Sequence, residues 1–477
     1  MKNMFKSMAI LALVTSVTFA GTEATPPAAA APAPDKDKEV AKKIEDQGIY
    51  VETAKPGVVL SGYVDAGGTY NTDSAAGGTA GTVNGRTVNN VRFGADDNTR
   101  DGFNLNAFKL ALEKPLGDKN DFVAGFRADL MFGQDAGFLA GRDSSTAVPT
   151  ATTATGANAA TTTTGGFGND VFVEQAFVQF RAPVGNGIDF HVGRFVTPMG
   201  YEVIERPANL NISYGNLFVN MIPLYHQGVE ATYKFNDTVN VLGAVVDGWN
   251  NSHPFNVANS PATSGSNPDN AGFIGQINVN APGGNANITN TVYYGVNGDG
   301  NVLGNATANN SGLFLFDSWG NWKPKFANDK WLLGYNADYG TCQYDNTIVT
   351  PAVGSSTEQW YGVALYSKYQ FTKIFSLAGR ADWIHNTNGA KWANSDEPFG
   401  ATEAGPGPAT TGTQGKSNDL YSYTITSSFD VWENMLLRAE YRIDWGNDWG
   451  VNTGNTLAAG SQWGASSLFT AEVVYSF

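Results

Sequence analysis

Met435–Trp445 reads MLLRAEYRIDW and alternates without a break. Successive side chains of an extended strand point to opposite faces. Met435, Leu437, Ala439, Tyr441, Ile443 and Trp445 therefore share one face, and Leu436, Arg438, Glu440, Arg442 and Asp444 share the other. One face is apolar and the other is densely charged. Phe122–Phe132 repeats the design, setting Arg127 and Asp129 against Phe122, Ala124, Phe126, Ala128, Leu130 and Phe132. Phe375–Trp383 does so again, with Arg380 and Asp382 opposite Phe375, Leu377, Ala381 and Trp383.

Carried along the chain, the same template predicts strands near 58–70, 103–114, 122–133, 171–182, 188–196, 224–235, 239–249 and 272–281. Eight more follow near 287–296, 312–321, 331–342, 358–371, 374–385, 419–430, 435–445 and 466–477. The links alternate strictly between short ones, such as Pro183–Gly187 and Thr372–Lys373, and long Gly/Thr/Asn-rich ones, such as Asn71–Gly102 and Asn386–Asn418. This is the pattern of a transmembrane antiparallel β-barrel of about 16 strands, with short periplasmic turns and long extracellular loops. Closure is required in hydrocarbon, where an open sheet edge would leave backbone donors and acceptors unpaired. A soluble β-sandwich also alternates apolar and polar residues, but nothing in that fold makes its links alternate in length.

Composition agrees. The 477 residues carry 29 basic and 44 acidic side chains, a net charge of −15 that argues against binding nucleic acid. Charged residues make up only 15% and aromatics 12%, and the single cysteine rules out a disulfide framework or a Cys-rich metal site. Mean hydropathy is −0.24, too low for a bundle of membrane-spanning helices and compatible with strands in which only alternate residues are apolar.

The N-terminus has the marks of export. Lys2 and Lys6 precede an apolar run from Met8 to Phe19, followed by small residues. Residues 1–20 are expected to be a secretory signal peptide, cleaved after Ala20 or Ala24. Residues 21–57 read as a Pro/Ala-rich and then charged periplasmic segment, leaving 58–477 for the barrel. At the other end Phe469, Ala471, Val473, Tyr475 and Phe477 alternate to the last residue. An apolar edge strand in water would invite aggregation. An aromatic terminus of this form resembles the assembly signal of bacterial outer-membrane barrels, which singles out Tyr475 and Phe477 and implies the barrel-assembly machinery as a partner.

Several stretches carry a resemblance to a family. They are GYVDAGGTYN from Gly62, FNLNAFKLALEKPLG from Phe103 and GFRADLMFGQDAG from Gly125. Stronger still are VEQAFVQFRAPVGNGIDFHVGRFVTPMGYEVIE from Val173 and YHQGVEATYKFNDTVNVLGAVVDGWNN from Tyr225. Together they resemble the outer-membrane β-barrel porin-2 family, and VGRFVTPMGYE is also similar to a stretch of phosphate-selective porins. The resemblance implies a passive diffusion channel for small hydrophilic solutes in the outer membrane of a diderm bacterium, without enzymatic activity. Gln227 and Glu230 depart from the family pattern, so no ion preference is carried over.

The residues offer little else as chemistry. His191, His226, His253 and His385 are scattered, and there is no HExxH, GxSxG, CxxC or Walker loop. Asn297–Asn301 echoes a calcium loop but lacks its distal Glu and reads as a turn. No catalytic residue, metal site or cofactor is expected. What remains is a charged interior: Lys109, Arg127, Arg181, Lys234, Arg380, Arg438 and Arg442 against Glu113, Asp129, Asp189, Glu230, Asp382, Glu440 and Asp444. Seven cations against seven anions set no sign preference, and they serve equally as pore lining or as wall-bracing salt bridges. Arg194 breaks parity, which predicts a bulge at Gly193.

The link Thr197–Pro223 differs from the other long links. It carries Val203, Ile204, Leu210, Ile212, Leu217, Phe218, Val219, Met221 and Ile222, whereas the link over Thr150–Gly166 is Thr-rich. So many apolar groups need a surface to pack on. The barrel's inner wall is one, which would put Glu202, Glu205 and Arg206 at the narrowest point, and by analogy the third long link of sixteen-stranded porins commonly folds inward. A contact between barrels of a homo-oligomer, such as a trimer, is the other. A competing role for the whole chain is a structural barrel that anchors the outer membrane through its N-terminal periplasmic segment.

Overall fold

Alternation at this density leaves each strand with a lipid-compatible face and a polar face, and only a closed sheet satisfies both along with the backbone. A computed structural model describes residues 57–71, 102–117, 120–141, 171–250, 271–298, 309–345, 356–386, 418–446 and 464–477. The expected signal peptide, the segment 21–56, the Thr150–Gly166 stretch and most of the Asn297–Asn301 turn lie outside the described residues.

Sixteen strands form the wall. The first eight are β1 Val59–Asn71, β2 Gly102–Lys114, β3 Val123–Phe132, β4 Val171–Ala182, β5 Ile188–Val196, β6 Tyr225–Lys234, β7 Val239–Val246 and β8 Gly272–Asn280. The second eight are β9 Ala286–Gly298, β10 Asn309–Trp322, β11 Trp331–Asp345, β12 Ser356–Gln370, β13 Phe375–Asn386, β14 Asn418–Trp432, β15 Met435–Gly446 and β16 Gly464–Ser476. Each strand pairs with its chain neighbours, all antiparallel, and β1 pairs with β16 to close the barrel. The seam ends in two reciprocal hydrogen bonds of 3.0 Å, from Gly62 N to Phe477 O and from Phe477 N to Gly62 O. The Phe477 ring lies over Gly62, where a Cβ would stand 2.8 Å from it.

Strand ends differ from the sequence reading by a few residues, in one case with a clear cause. β7 stops at Val246 rather than near 249 because the chain turns inward there, with Asn250 in the left-handed region at φ 49°. Its side-chain oxygen accepts from Leu224 N at 2.6 Å and Tyr225 N at 3.3 Å. The bulge expected at Gly193 is absent: β5 keeps register with β4 and β6 through that residue. The irregularity is in the backbone, since Gly193 takes φ +138° where an added Cβ would collide with Ala176 O. The register shift in this region falls between β3 and β4, opposite Asp129/Leu130.

Val178, Val229, Val245, Phe273, Val292 and Leu365 are exposed on the outer face, as a lipid-facing surface requires. The hydrophobic core lies inside the barrel. Helix α1 (Gln134–Gly141) supplies buried Phe138 and Leu139, and the short helix α2 (Asn216–Asn220) supplies Leu217, Phe218 and Val219. They pack with wall residues such as Tyr63, Met131, Phe172 and Ile384 in one cluster. Residues 197–224, between β5 and β6, thus run through the interior.

Candidate functional site

The inward segment begins where the wall leaves off. Thr197 N donates to Leu224 O at 3.0 Å, joining its two ends, and the Thr197 hydroxyl lies 3.1 Å from His226 Nε2. From there it crosses to the far wall. Gln276 on β8 donates to Pro198 O at 2.6 Å. Gly200 N donates to Asp317 on β10 at 3.1 Å, and Tyr201 N to Asn336 on β11 at 3.0 Å. β8, β10 and β11 thus hold successive parts of the segment.

The charged residues concentrate on the following strands. Arg380 of β13 donates to Glu202 at 2.6 Å, to its own neighbour Asp382 at 2.9 Å and to Ser213 O at 2.7 Å. Arg442 of β15 donates to Asp444 at 2.7 Å, Asn216 Oδ1 at 3.0 Å and Tyr214 O. Glu440 accepts from Ser213 N at 2.9 Å and from the Thr426 hydroxyl at 2.7 Å. Arg438 pairs with Glu472 and donates to Arg206 O at 2.9 Å and Asn209 O at 2.8 Å. Arg380 and Arg442 are wholly buried and Arg438 nearly so. A buried guanidinium is tolerable only when its donors are met, and here backbone carbonyls of the segment meet the ones that carboxylates leave over.

Across the lumen a second group surrounds Lys109 of β2. Its ammonium lies 3.1 Å from Asp129, 2.9 Å from Glu174 and in contact with Glu205 of the segment. Arg127 bridges Asp129 and Glu113, each at 3.0 Å. Arg206 donates to Asp135 of α1 at 2.6 Å and to Ile212 O at 2.9 Å, and its guanidinium sits 3.8 Å from the Tyr214 ring centroid. An aromatic side chain adds to the hold on the segment: Trp360 of β12 lies across Gly340 of β11, where no Cβ would fit, and donates to Met221 O at 3.3 Å.

The remaining charges flagged by parity sit apart. Arg181 pairs with Asp189 at 2.6 Å, with side chains 16% and 31% exposed. Lys234 meets Asp237 at 2.8 Å, 40% and 70% exposed. Glu230, nearly buried, lies 3.0 Å from His191. None of these touches the inward segment in the contacts described. Glu174 and the pair Asp317 and Asp338 escaped the sequence reading. The β3–β4 irregularity turns both Glu174 and Gln175 inward, which simple alternation does not allow. Asp317 and Asp338 stand opposite one another on β10 and β11, and both faces of β10 are rich in apolar residues. The acids Asp129, Glu174 and Glu205 converge closely enough to suggest a metal site, but the Lys109 ammonium occupies their centre.

Beneath the segment, at the end of the barrel where the short turns lie, is a cavity of about 560 Å³. Gly284, Lys323 and Asn434 mark its mouth.

The barrel is similar to the outer membrane channel DcaP of Acinetobacter baumannii, with a TM-score of 0.50, 12% identity and coverage of 90% of this chain and 99% of that one. It is equally similar to an anion-selective porin from Comamonas acidovorans, with a TM-score of 0.51, 9% identity and coverage of 88% and 99%. At those identities the likeness is one of fold. No curated protein matches the sequence. The family described as "Putative beta-barrel porin-2, OmpL-like" matches residues 57–477, which takes in every strand of the wall. With a closed sixteen-stranded barrel, an apolar outer face and a loop folded into the lumen, the chain is an outer-membrane porin of a diderm bacterium and belongs to that family.

Proposed function

We propose that the chain passes small hydrophilic solutes by passive diffusion and that residues 197–224 form its constriction. The observation that carries this is the path of the segment: wall strands β8, β10, β11 and β13 to β15 bind it in turn. Lys109 holds it from the opposite side. A loop held on both sides of a lumen limits what can pass. In this reading Arg181, Glu113, Lys234 and Glu230 line the wider part of the passage. Asp129, Arg127, Arg380, Asp382, Arg438, Glu440, Arg442 and Asp444 fix the shape of its narrow part. Short turns face the periplasm, long loops face outward, and the chain does no chemistry on its solute. Residues 1–20 are removed on export, Tyr475 and Phe477 present the last strand to the assembly machinery, and the outer face admits a homotrimer.

Planar-bilayer recording tests the constriction. A Glu202→Gln, Glu205→Gln double variant leaves Arg380 and Lys109 without their carboxylate partners on the segment. Under a salt gradient its reversal potential should move toward anion permeation. Unchanged reversal potential and conductance would place the constriction elsewhere.

A further inference from the structure

The lining of the cavity under the inward segment is sorted by chemistry. Met199, Ile204, Leu210 and Phe218 of the segment form an apolar roof. Leu332, Leu436, Val474 and Trp319 continue that surface down the wall. Four charged side chains line it: Glu202, Asp430, Lys323 and Lys368. Glu202 is engaged by Arg380. Among the described residues neither lysine is in an ion pair, although every arginine brace above them is matched. Lys368 lies on the inward parity of β12, and Lys323, exposed, follows the last residue of β10 in the short turn at the cavity's mouth, so both line the space. Lys368 and Asp430 attract one another without forming a contact pair, and with Lys323 they leave a single net positive charge beside an apolar roof.

We propose that this cavity binds a small organic monoanion with an apolar body, an aromatic carboxylate being the best fit. Lys323 and Lys368 hold the carboxylate, and the roof covers the ring. A volume of about 560 Å³ falls within the range of small-molecule sites, which are mostly apolar with a few placed polar groups. A solute that were only hydrophilic would leave the roof unsatisfied, and an apolar neutral one would leave the lysines unpaired. The proposal rests on the channel reading, because it makes the anion a solute in transit that pauses below the constriction.

Titration calorimetry on the purified full chain tests it, with phenylacetate and its neutral isostere phenylacetamide as probes. Phenylacetate should bind at least about tenfold more tightly than the amide. A Lys323→Ala, Lys368→Ala double variant should lose about tenfold or more of that affinity, and Asp430→Asn should strengthen binding severalfold. Heat-modifiable mobility verifies that each variant is folded, and the comparison of the two probes on the native chain stands whether or not the variants fold. Equal affinity for the amide, or full affinity in a folded double variant, would overturn the proposal. Conductance in salt alone, without either probe, tests the channel separately: a barrel that conducts but does not bind sinks only the anion site, and one that binds but does not conduct sinks only the channel.

Discussion

Arg380 and Lys234 look alike in the sequence, each a cation on the polar face of an alternating strand. In the barrel they have different surroundings. Arg380 is wholly buried, bridging Glu202, Asp382 and two carbonyls of the inward segment. Lys234 pairs with Asp237 near a short turn, with 40% of its side chain in solvent. Alternation assigns a face, but depth and partner assign a role. A buried ion whose partners stay behind costs about 3–5 kcal/mol to remove, whereas an exposed pair contributes about 0–1 kcal/mol.

That contrast can be broken at several points. Arg380→Met should have the largest effect, about 3–5 kcal/mol of stability in denaturant titration of the refolded barrel, because it strands Glu202 and Asp382. Conductance noise should rise with it as the segment loosens. A loss below 1 kcal/mol would mean that the segment is held mainly by its apolar packing. Next, Tyr441→Arg puts a charge on the lipid face of β15, one residue from a strand-internal arginine that is well tolerated. It should cost about 2–4 kcal/mol, read as a smaller heat-modifiable fraction. If Tyr441→Arg is silent, the assignment of faces is wrong. Deleting Phe477 removes the seam's closing hydrogen bonds and the ring over Gly62, and should lower the amount of barrel reaching the outer membrane. Normal levels would show that assembly does not read that residue. Lys234→Ala should change stability by less than about 1 kcal/mol, and a larger loss would erase the distinction between rim and interior.

The wall was legible because lipid enforces a simple rule. Outward positions are predominantly apolar, so β15 or β3 can be read by parity and its ends found within a few residues. The interior follows no such rule. Leu313 and Leu315 point inward beside Asp317 because the segment brings its own apolar surface to meet them, and only the composition of residues 203–222 hinted at that. Glu174 was hidden by the β3–β4 irregularity, and the partner of each arginine by the fact that a carbonyl acceptor has no signature in sequence. The signs of the charges could be read, but not the hydrogen bonds they serve.

The segment leaves the wall after β5, yet most of its anchors lie on strands made later, from Asp317 to Arg442. While the chain emerges, residues 197–224 have nothing to settle on: the pocket that receives them does not exist until more than two hundred further residues have taken their places. Closing contacts so distant in sequence is entropically slow. The barrel must therefore be kept open, with its most apolar loop unburied, until the last strands arrive, and docking of that loop is a late event in the life of the molecule. The filling of the lumen is a clock for the completion of the wall.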